Sequence, residues 1–251
     1  MKPLLRVRDL CKSFLFEGRE VLVLKDISFD VNEHEFVSII GSSGCGKSTL
    51  LELIAGITIP DCGSIFKHDA EISGRAGFAG YMPQEDLLLP WLSLMENAIL
   101  PERIQHQNIA AAKEKVMKLL PDFGLEGFAH HKPWQLSGGT KQRAAFLRTV
   151  MSEAEILLLD EPFANLDALT RLQMQSWLLD IQQKLKRTII FVTHDIDEAI
   201  RLSETIYVMD SQPAPFIFQT IVPPELHQAN SDISHPLWAE LRSELTRKLL
   251  K

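Results

Sequence analysis

The sequence predicts an α/β fold built around a mostly parallel sheet, and three observations carry that expectation. Short apolar runs, 36-FVSII-40, 156-ILLLD-160 and 188-TIIFVTH-194, have the length and β-branched content of strands buried on both faces. Segments of helical periodicity stand between such runs, and strands alternating with helices favour parallel pairing. Directly after the first run, 41-GSSGCGKSTL-50 fits the pattern G-x-x-x-x-G-K-[ST] of a phosphate-binding loop between a strand and a helix.

Ile27, Phe29 and Val31 alternate with polar residues, as in a half-buried strand that precedes 36-FVSII-40. A helix starts near Gly46 and stops at Gly56; 60-PDCG-63 reads as a turn and 77-GFAGYM-82 as another strand. From about Gln84 to about Met151 the pattern is helical. Asn108 can cap a helix with Ile109, Ala112, Val116 and Leu119 on one face, closed by Pro121 and Gly124. A long helix fills the interval between 156-ILLLD-160 and 188-TIIFVTH-194. The C-terminal segment 234-SHPLWAELRSELTRKLLK-251 places Leu237, Leu241 and Leu245 on one stripe with Trp238 beside it, a face that would pack on the rest of the chain, the favoured reading, or on a neighbour.

Composition limits the function classes. A 251-residue chain with 45% hydrophobic and 24% charged residues can bury a large core, as one domain with an inserted lobe or as two domains. A net charge of −7 argues against a general nucleic-acid binder, so no nucleic-acid partner is expected. No apolar run is long enough to span a bilayer, and MKPLLRVRDL lacks the apolar core of a signal peptide, so a cytosolic location is expected. Cys11, Cys45 and Cys62 have no metal-ligand spacing and are expected as reduced thiols.

The loop explains its own composition. Glycines let successive backbone N–H groups converge on phosphate oxygens, and the N-terminus of the next helix adds its free N–H groups and partial positive charge. Lys47 supplies a point charge suited to β- and γ-phosphates, and the Ser48 hydroxyl suits Mg²⁺. In 156-ILLLDEP-162 four aliphatic residues lead into two carboxylates at a strand end. Asp160 is the natural partner for the Mg²⁺ that Ser48 would hold, which leaves Glu161 to polarise an attacking water. A second anion-facing helix start stands in 136-LSGGTKQR-143, redundant within one chain unless it serves the nucleotide of another subunit.

At this point the sequence resembles the ATP-binding cassette (ABC) family over nearly its whole length. The family's motifs occur in order: 41-GSSGCGKS-48, Gln84 in 81-YMPQEDLLLPW-91, 136-LSGGT-140, 156-ILLLDE-161, 164-ANLD-167 and His194 in 193-THDIDEA-199. The resemblance implies a P-loop cassette with a mostly parallel core sheet, an antiparallel β subdomain and an inserted helical subdomain. Residues 1–251 form one ATP-binding domain on this reading, with a helical signature subdomain near 85–153 and a C-terminal helical extension over 225–251.

The implied roles follow residue by residue. Gly41, Ser42, Ser43, Gly44, Cys45, Gly46, Lys47, Ser48 and Thr49 cradle the phosphates of ATP. Phe14 matches the aromatic that stacks on adenine, usually tyrosine, with Phe16 as the fallback and core packing as the alternative for either. Gln84 corresponds to the glutamine that reaches Mg²⁺ and the attacking water, and Ser48, Gln84 and Asp160 make up the metal set. Ser137, Gly138, Gly139 and Thr140 face the partner cassette's nucleotide, Asp167 lies at the dimer seam, and Glu161 and His194 serve catalysis. Thr140 stands where glutamine is common and Asn165 where a small residue is usual; both can hydrogen-bond.

Within the family, 88-LLPWLSLMENAILP-101, 161-EPFANLDALTRLQMQSWLLDIQ-182 and 190-IFVTHDIDEAIRLSETIYVMDSQP-213 resemble importer cassettes for nitrate, sulfonate, taurine or bicarbonate, and those for thiamine-precursor pyrimidines. The resemblance implies a homodimer of cassettes in the ATP-bound state, separate membrane permease subunits, an extracytoplasmic solute-binding protein and a peripheral place on the cytoplasmic membrane face. The apolar stretch 87-LLLPW-91 is a candidate dock for the permease. The alternatives are a soluble non-transport ABC ATPase, which usually carries two cassettes or a coiled-coil insertion, and an ATP-sensing module without turnover.

Overall fold

The chain opens with a long hairpin. In the computed structural model, which describes residues 3–210, 215–226 and 235–250, β1 (Leu5–Phe16) pairs antiparallel with β2 (Arg19–Val31). Residues 227–234 and Lys251 of the expected C-terminal extension lie outside the described residues, as do Met1 and Lys2. Glu17 (φ 47°) and Gly18 (φ 76°) make the two-residue turn with positive φ at both positions, which matches the twist of the flanking strands. Leu5, Val7 and Leu10 from β1 and Ile27 and Val31 from β2 are fully buried on the inner face. After β3 (Phe36–Ile40) leaves for a second sheet, β4 (Cys62–Lys67) and β5 (Ala70–Glu71) complete the first one in the order β2-β1-β4-β5.

One expectation is corrected here. Cys62 and Gly63, assigned by sequence to a turn, already belong to β4. Gly63, at φ 79°, lies against the backbone of Asp9, where a Cβ would come within 2.4 Å of the Asp9 carbonyl. The glycine therefore marks a register shift in the β1–β4 ladder, which its sequence context with Pro60 disguised as a turn.

The second sheet collects β3, β6 (Ala79–Met82), β7 (Ile156–Asp160), β8 (Thr188–Thr193), β9 (Thr205–Met209) and β10 (Phe216–Ile221) in the order β10-β9-β3-β8-β7-β6. All pairs are parallel except β9–β10. The helices are α1 (Lys47–Ile54), α2 (Leu94–Ala98), α3 (Leu100–Ile104), α4 (Ile109–Leu119), α5 (Gly138–Met151), α6 (Ala168–Leu185), α7 (Ile196–Leu202) and α8 (Pro236–Leu249). Asn108 caps α4 by accepting from Ala110 and Ala111 N–H, and Ser93 with Glu96 forms a capping box on α2.

Burial on both faces explains the continuous apolar runs. Leu157, Leu159, Ile189 and Phe191 point into a core shared with α2 and α4–α6, while Ile156, Leu158, Ile190 and Val192 point into the core against the antiparallel sheet and α1. Each such side chain contributes roughly 1.5–3 kcal/mol on burial, so the strand ends that carry the functional groups are firmly anchored. A third core joins α7, α8 and β9. Its stripe from α8 is Trp238, Leu241 and Leu245, whereas Leu237 is only partly buried. The spacing i, i+3, i+7 selects Trp238 as the inward member, and α8 packs on the rest of the chain as expected.

Candidate functional site

Four parallel strands deliver their carboxyl ends to one edge of the sheet. Ile40 pairs with Thr193, Asp160 with Val192, and Met82 with Leu159, so the segments that follow β3, β6, β7 and β8 emerge side by side. Ligand sites in open parallel sheets form at this edge. Here it holds a cleft of about 370 Å³. Phe14 and Val23 form one wall, the loop from Ser43 to Thr49 the floor, and Gln84 and Glu161 the far side. A larger open groove of about 740 Å³ runs along α8, but only α7, α8 and Leu250 line it and none of the sequence-selected residues does.

The loop's shape depends on two glycines in particular. Gly46 caps α1 at φ 111°, where a Cβ would press within 2.9 Å of the Val23 and Leu24 side chains. Gly41 leaves room for Cys45, whose Sγ would lie 2.7 Å from a Cβ at that position. Cys45 is buried, burial raises its thiol, and it is absent from the cleft lining. Lys47 is also buried. Its Nζ donates to the Gly41 and Ser42 carbonyls at 2.9 Å and stands 3.9 Å from Glu161 Oε1, a positive charge fixed at the loop's centre.

Asp160 lies beneath the cleft with 3% of its surface exposed. Tyr81 donates its hydroxyl to Oδ2 at 3.3 Å, while Oδ1 is buried without a hydrogen-bond partner. Burial pushes the carboxyl up, opposed by the neighbouring Ser48 hydroxyl; Glu161 pushes it further up, and Tyr81 and Lys47 pull it back. A buried carboxylate oxygen without a partner is costly unless a cation or donor meets it. The residues thus fit a divalent cation held by Asp160 and the Ser48 hydroxyl. No cluster of three or more His, Cys, Asp or Glu among the described residues could hold a metal alone, so phosphate, hydroxyl and amide oxygens would complete the shell.

Glu161 adopts φ 43°, a left-handed conformation that costs a non-glycine residue on the order of 1–3 kcal/mol. Its N–H donates to the Val192 carbonyl, and Oε2 lies 2.9 Å from His194 Nδ1. The strain turns the side chain back over the strand ends, where it meets both Lys47 and His194. His194 is more than half exposed and rests on a buried framework absent from the sequence-derived site. Thr193 Oγ1 donates to Glu198 Oε2 at 2.6 Å and accepts from Asp195 N–H, while Gln175 donates to Glu198 Oε1 at 3.3 Å. Asp195-x-x-Glu198 carries the spacing of a helix capping box, the one sequence signal that could have drawn attention to Glu198.

Phe14 is 41% exposed on the cleft wall and Phe16 66% exposed outside it, so neither is a core residue. The Lys12 ammonium stands 5.4 Å from the Phe14 ring centroid. The second anion-facing element sits elsewhere. Ser137 caps α5, accepting from Thr140 N–H and bonding its hydroxyl at 2.8 Å, and none of Ser137, Gly138, Gly139 or Thr140 lines the cleft. They adjoin the start of α6, where Asp167 caps the helix through Thr170 N–H and where a Cβ on Gly139 would lie 3.1 Å from Thr170. Hydrogen bonds to Thr170 hold the Asp167 carboxyl below its ordinary value. The structure therefore gathers Phe14, Lys47, Ser48, Gln84, Asp160, Glu161 and His194 around one cleft and presents Ser137–Thr140 and Asp167 on a separate exposed face.

Residues 24–164 match the family model described as ABC transporter. The formylaminopyrimidine import ATP-binding protein of Halalkalibacterium halodurans is 45% identical over 206 residues, covering 82% of this chain and 80% of the relative. The nitrate transport protein NasD of Klebsiella oxytoca is 40% identical over 85% of this chain and 83% of its own length. An aliphatic sulfonates import ATP-binding protein of Bacillus cereus is 42% identical over 82% and 81%. Among solved structures, an ATP-binding cassette dimer in a post-hydrolysis state bound to ADP and Pi superposes with a TM-score of 0.76, at 27% identity over 87% of this chain and 99% of that one.

Proposed function

The chain belongs to the ABC transporter family, and from that premise we propose that it is the ATP-hydrolysing subunit of an importer for a small solute of the nitrate, sulfonate, taurine or formylaminopyrimidine kind. The carrying observation is the cleft in which a fixed Lys47 ammonium, the partnerless Oδ1 of Asp160 and the strained Glu161–His194 pair converge at one sheet edge. Lysine binds the β/γ-phosphates, the loop and the α1 N-terminus receive the remaining oxygens, and Phe14 stacks on adenine. Mg²⁺, held by Ser48, Asp160 and Gln84, would neutralise charge on the β- and γ-oxygens.

Glu161 accepts a proton from the attacking water, and His194 orients Glu161 and stabilises charge on the γ-phosphate. No covalent protein intermediate is needed, because positioning and charge stabilisation supply the rate. The separate exposed face of Ser137, Gly138, Gly139, Thr140 and Asp167 supports composite sites: each cassette of a homodimer offers this face to its partner's nucleotide. ATP binding closes the pair and hydrolysis reopens it. In this reading residues 1–251 form one cassette domain, 85–153 its helical signature subdomain and 225–251 a C-terminal extension.

The import proteins that the cassette resembles support separate membrane subunits as partners, and no helix among the described residues is long and apolar enough to cross a membrane. The cassette sits peripherally on the cytoplasmic face, with a solute-binding protein acting from outside. The match covers about four-fifths of the length of relatives named as import ATP-binding or transport proteins, which favours this reading over a soluble ABC factor. The test is reconstitution in proteoliposomes with the permease encoded beside it and the cognate binding protein. ATP-dependent uptake of nitrate, a sulfonate or a formylaminopyrimidine is expected; ATPase activity that never couples to any membrane subunit would overturn the importer reading.

A further inference from the structure

Cys11 and Cys62 face each other across β1 and β4 as register partners. At the adjacent register shift Asp9 turns to φ 48°, and its carbonyl receives both thiols, at 3.6 Å from Cys11 Sγ and 3.5 Å from Cys62 Sγ. Cys62 is exposed and Cys11 partly so, whereas the third cysteine, Cys45, is buried in the phosphate loop. Paired Cα atoms of antiparallel strands stand about 4.5–5.5 Å apart, inside the roughly 4.4–6.8 Å that a disulfide spans.

The pair is linked to the nucleotide cleft's wall through its chain neighbours. Cys11 precedes Lys12, and Asp61 precedes Cys62. Asp61 clamps the two strands by accepting from Lys12 Nζ at 2.7 Å and from Ser13 N–H at 2.6 Å, and that same Lys12 ammonium lies over Phe14. We propose that Cys11 and Cys62 form a peroxide-reactive pair that closes a cross-strand disulfide and, by shifting the Lys12–Asp61 clamp, weakens ATP binding at Phe14. The effect on ATP rests on the adenine contact assigned to Phe14 above; bond formation does not.

The Cys62 thiol hydrogen-bonds Cys11 and is pushed up to about 11, chiefly by that bond, so Cys62 keeps its proton and serves as the second, resolving thiol. The Cys11 sulfur attacks one oxygen of hydrogen peroxide and gives up its proton. The O–O bond breaks, Cys11 becomes a sulfenic acid, and the released hydroxide takes up a proton to become water. The Cys62 sulfur then attacks the Cys11 sulfur, the S–S bond forms, the S–O bond breaks, and the leaving hydroxide takes the Cys62 proton as a second water. Two electrons pass from the thiol pair to the peroxide. Cys45, whose burial raises its thiol, is shielded from this chemistry.

The experiment treats the full-length protein with hydrogen peroxide and reads three quantities: peptide mapping without reductant, free thiols, and ATP affinity by calorimetry. Expected are a Cys11–Cys62 linked peptide, loss of two of the three thiols, and ATP affinity at least threefold weaker, all restored by dithiothreitol. Cys11→Ser and Cys62→Ser should each keep their ATP affinity under the same treatment. Sulfinic acid or intact thiols without the linked peptide would overturn the disulfide. A linked peptide with unchanged affinity, or an equal loss in Cys11→Ser, would overturn its coupling to the site. Absence of ATP binding before any treatment would count against the function proposed above instead, since peptide mapping does not depend on nucleotide.

Discussion

Replacing Trp238 by alanine should remove about 4 kcal/mol of stability and loosen the catalytic edge from a distance. Trp238 is fully buried in the core shared by α7, α8 and β9. Truncation of a buried large aromatic costs about 3–5 kcal/mol, transfer and cavity terms together. The indole Nε1 donates to Asp197 Oδ1 at 3.0 Å, and Arg201 stands 5.4 Å from the ring centroid. Loss of the indole does not leave Asp197 unpaired, because Arg242 Nε lies 3.0 Å from the same oxygen. The cost therefore stays within the aromatic range. For a chain of this size each kcal/mol moves Tm by about 2–4 °C, which places the alanine variant roughly 8–16 °C below wild type. Trp238→Phe, which keeps most of the ring but loses the N–H bond, should lie between. Because α7 begins two residues after His194, the alanine variant should also turn over ATP more slowly at 25 °C with nearly unchanged ATP affinity. Thermal unfolding followed by far-UV circular dichroism decides the matter: a Tm within about 3 °C of wild type for Trp238→Ala would refute the packing argument.

Three further expectations are independent of that one. Lys47→Ala should weaken ATP binding at least tenfold by calorimetry, since the charge fixed by Gly41 and Ser42 is lost, and affinity within twofold of wild type would contradict its role. Trp91→Asp should abolish co-purification with the permease while sparing basal ATPase, because Trp91 is 67% exposed whereas Leu88 is buried and Leu89 is tied by its backbone to Asn97; normal co-purification would count against docking there. Burial pushes the Glu198 carboxyl up, so the folded state keeps a proton that the unfolded chain releases near pH 4.3. Its stabilisation is full below that value and is lost as pH rises through the folded pKa. Glu198→Gln removes the titration, so denaturant titrations should show the variant gaining on wild type as pH rises above the unfolded-chain value, and a constant difference would refute the sign.

How much could be read without coordinates depended on how local the signal was. The phosphate loop, the strand-end carboxylates and the caps at Asn108 and Ser137 are fixed by residues within one turn or one strand, and motif spacing carries them. Twofold burial of β7 and β8 wrote itself into continuous apolar runs. By contrast β1 gave no clean alternation, because register shifts between Val7 and Ser13 break the period of two. Gly63 looked like part of a turn because its reason is a contact with Asp9, 54 residues away in sequence. Tyr81 under Asp160 and the meeting of Cys11 with Cys62 are likewise long-range pairings. Only the sheet order brings them together.

The most direct test of the composite-site mechanism is Glu161→Gln, with ATP affinity, phosphate release and light scattering measured on the same preparation. The substitution keeps the side chain's size and removes its basicity, while Lys47, Ser48 and the loop are untouched. Affinity should persist, turnover should fall by about 10²–10⁴-fold, and the trapped protein should form an ATP-dependent homodimer that Ser137→Arg disperses. Hydrolysis at the wild-type rate would contradict the role of Glu161, and a dimer that Ser137→Arg leaves intact would contradict the composite site.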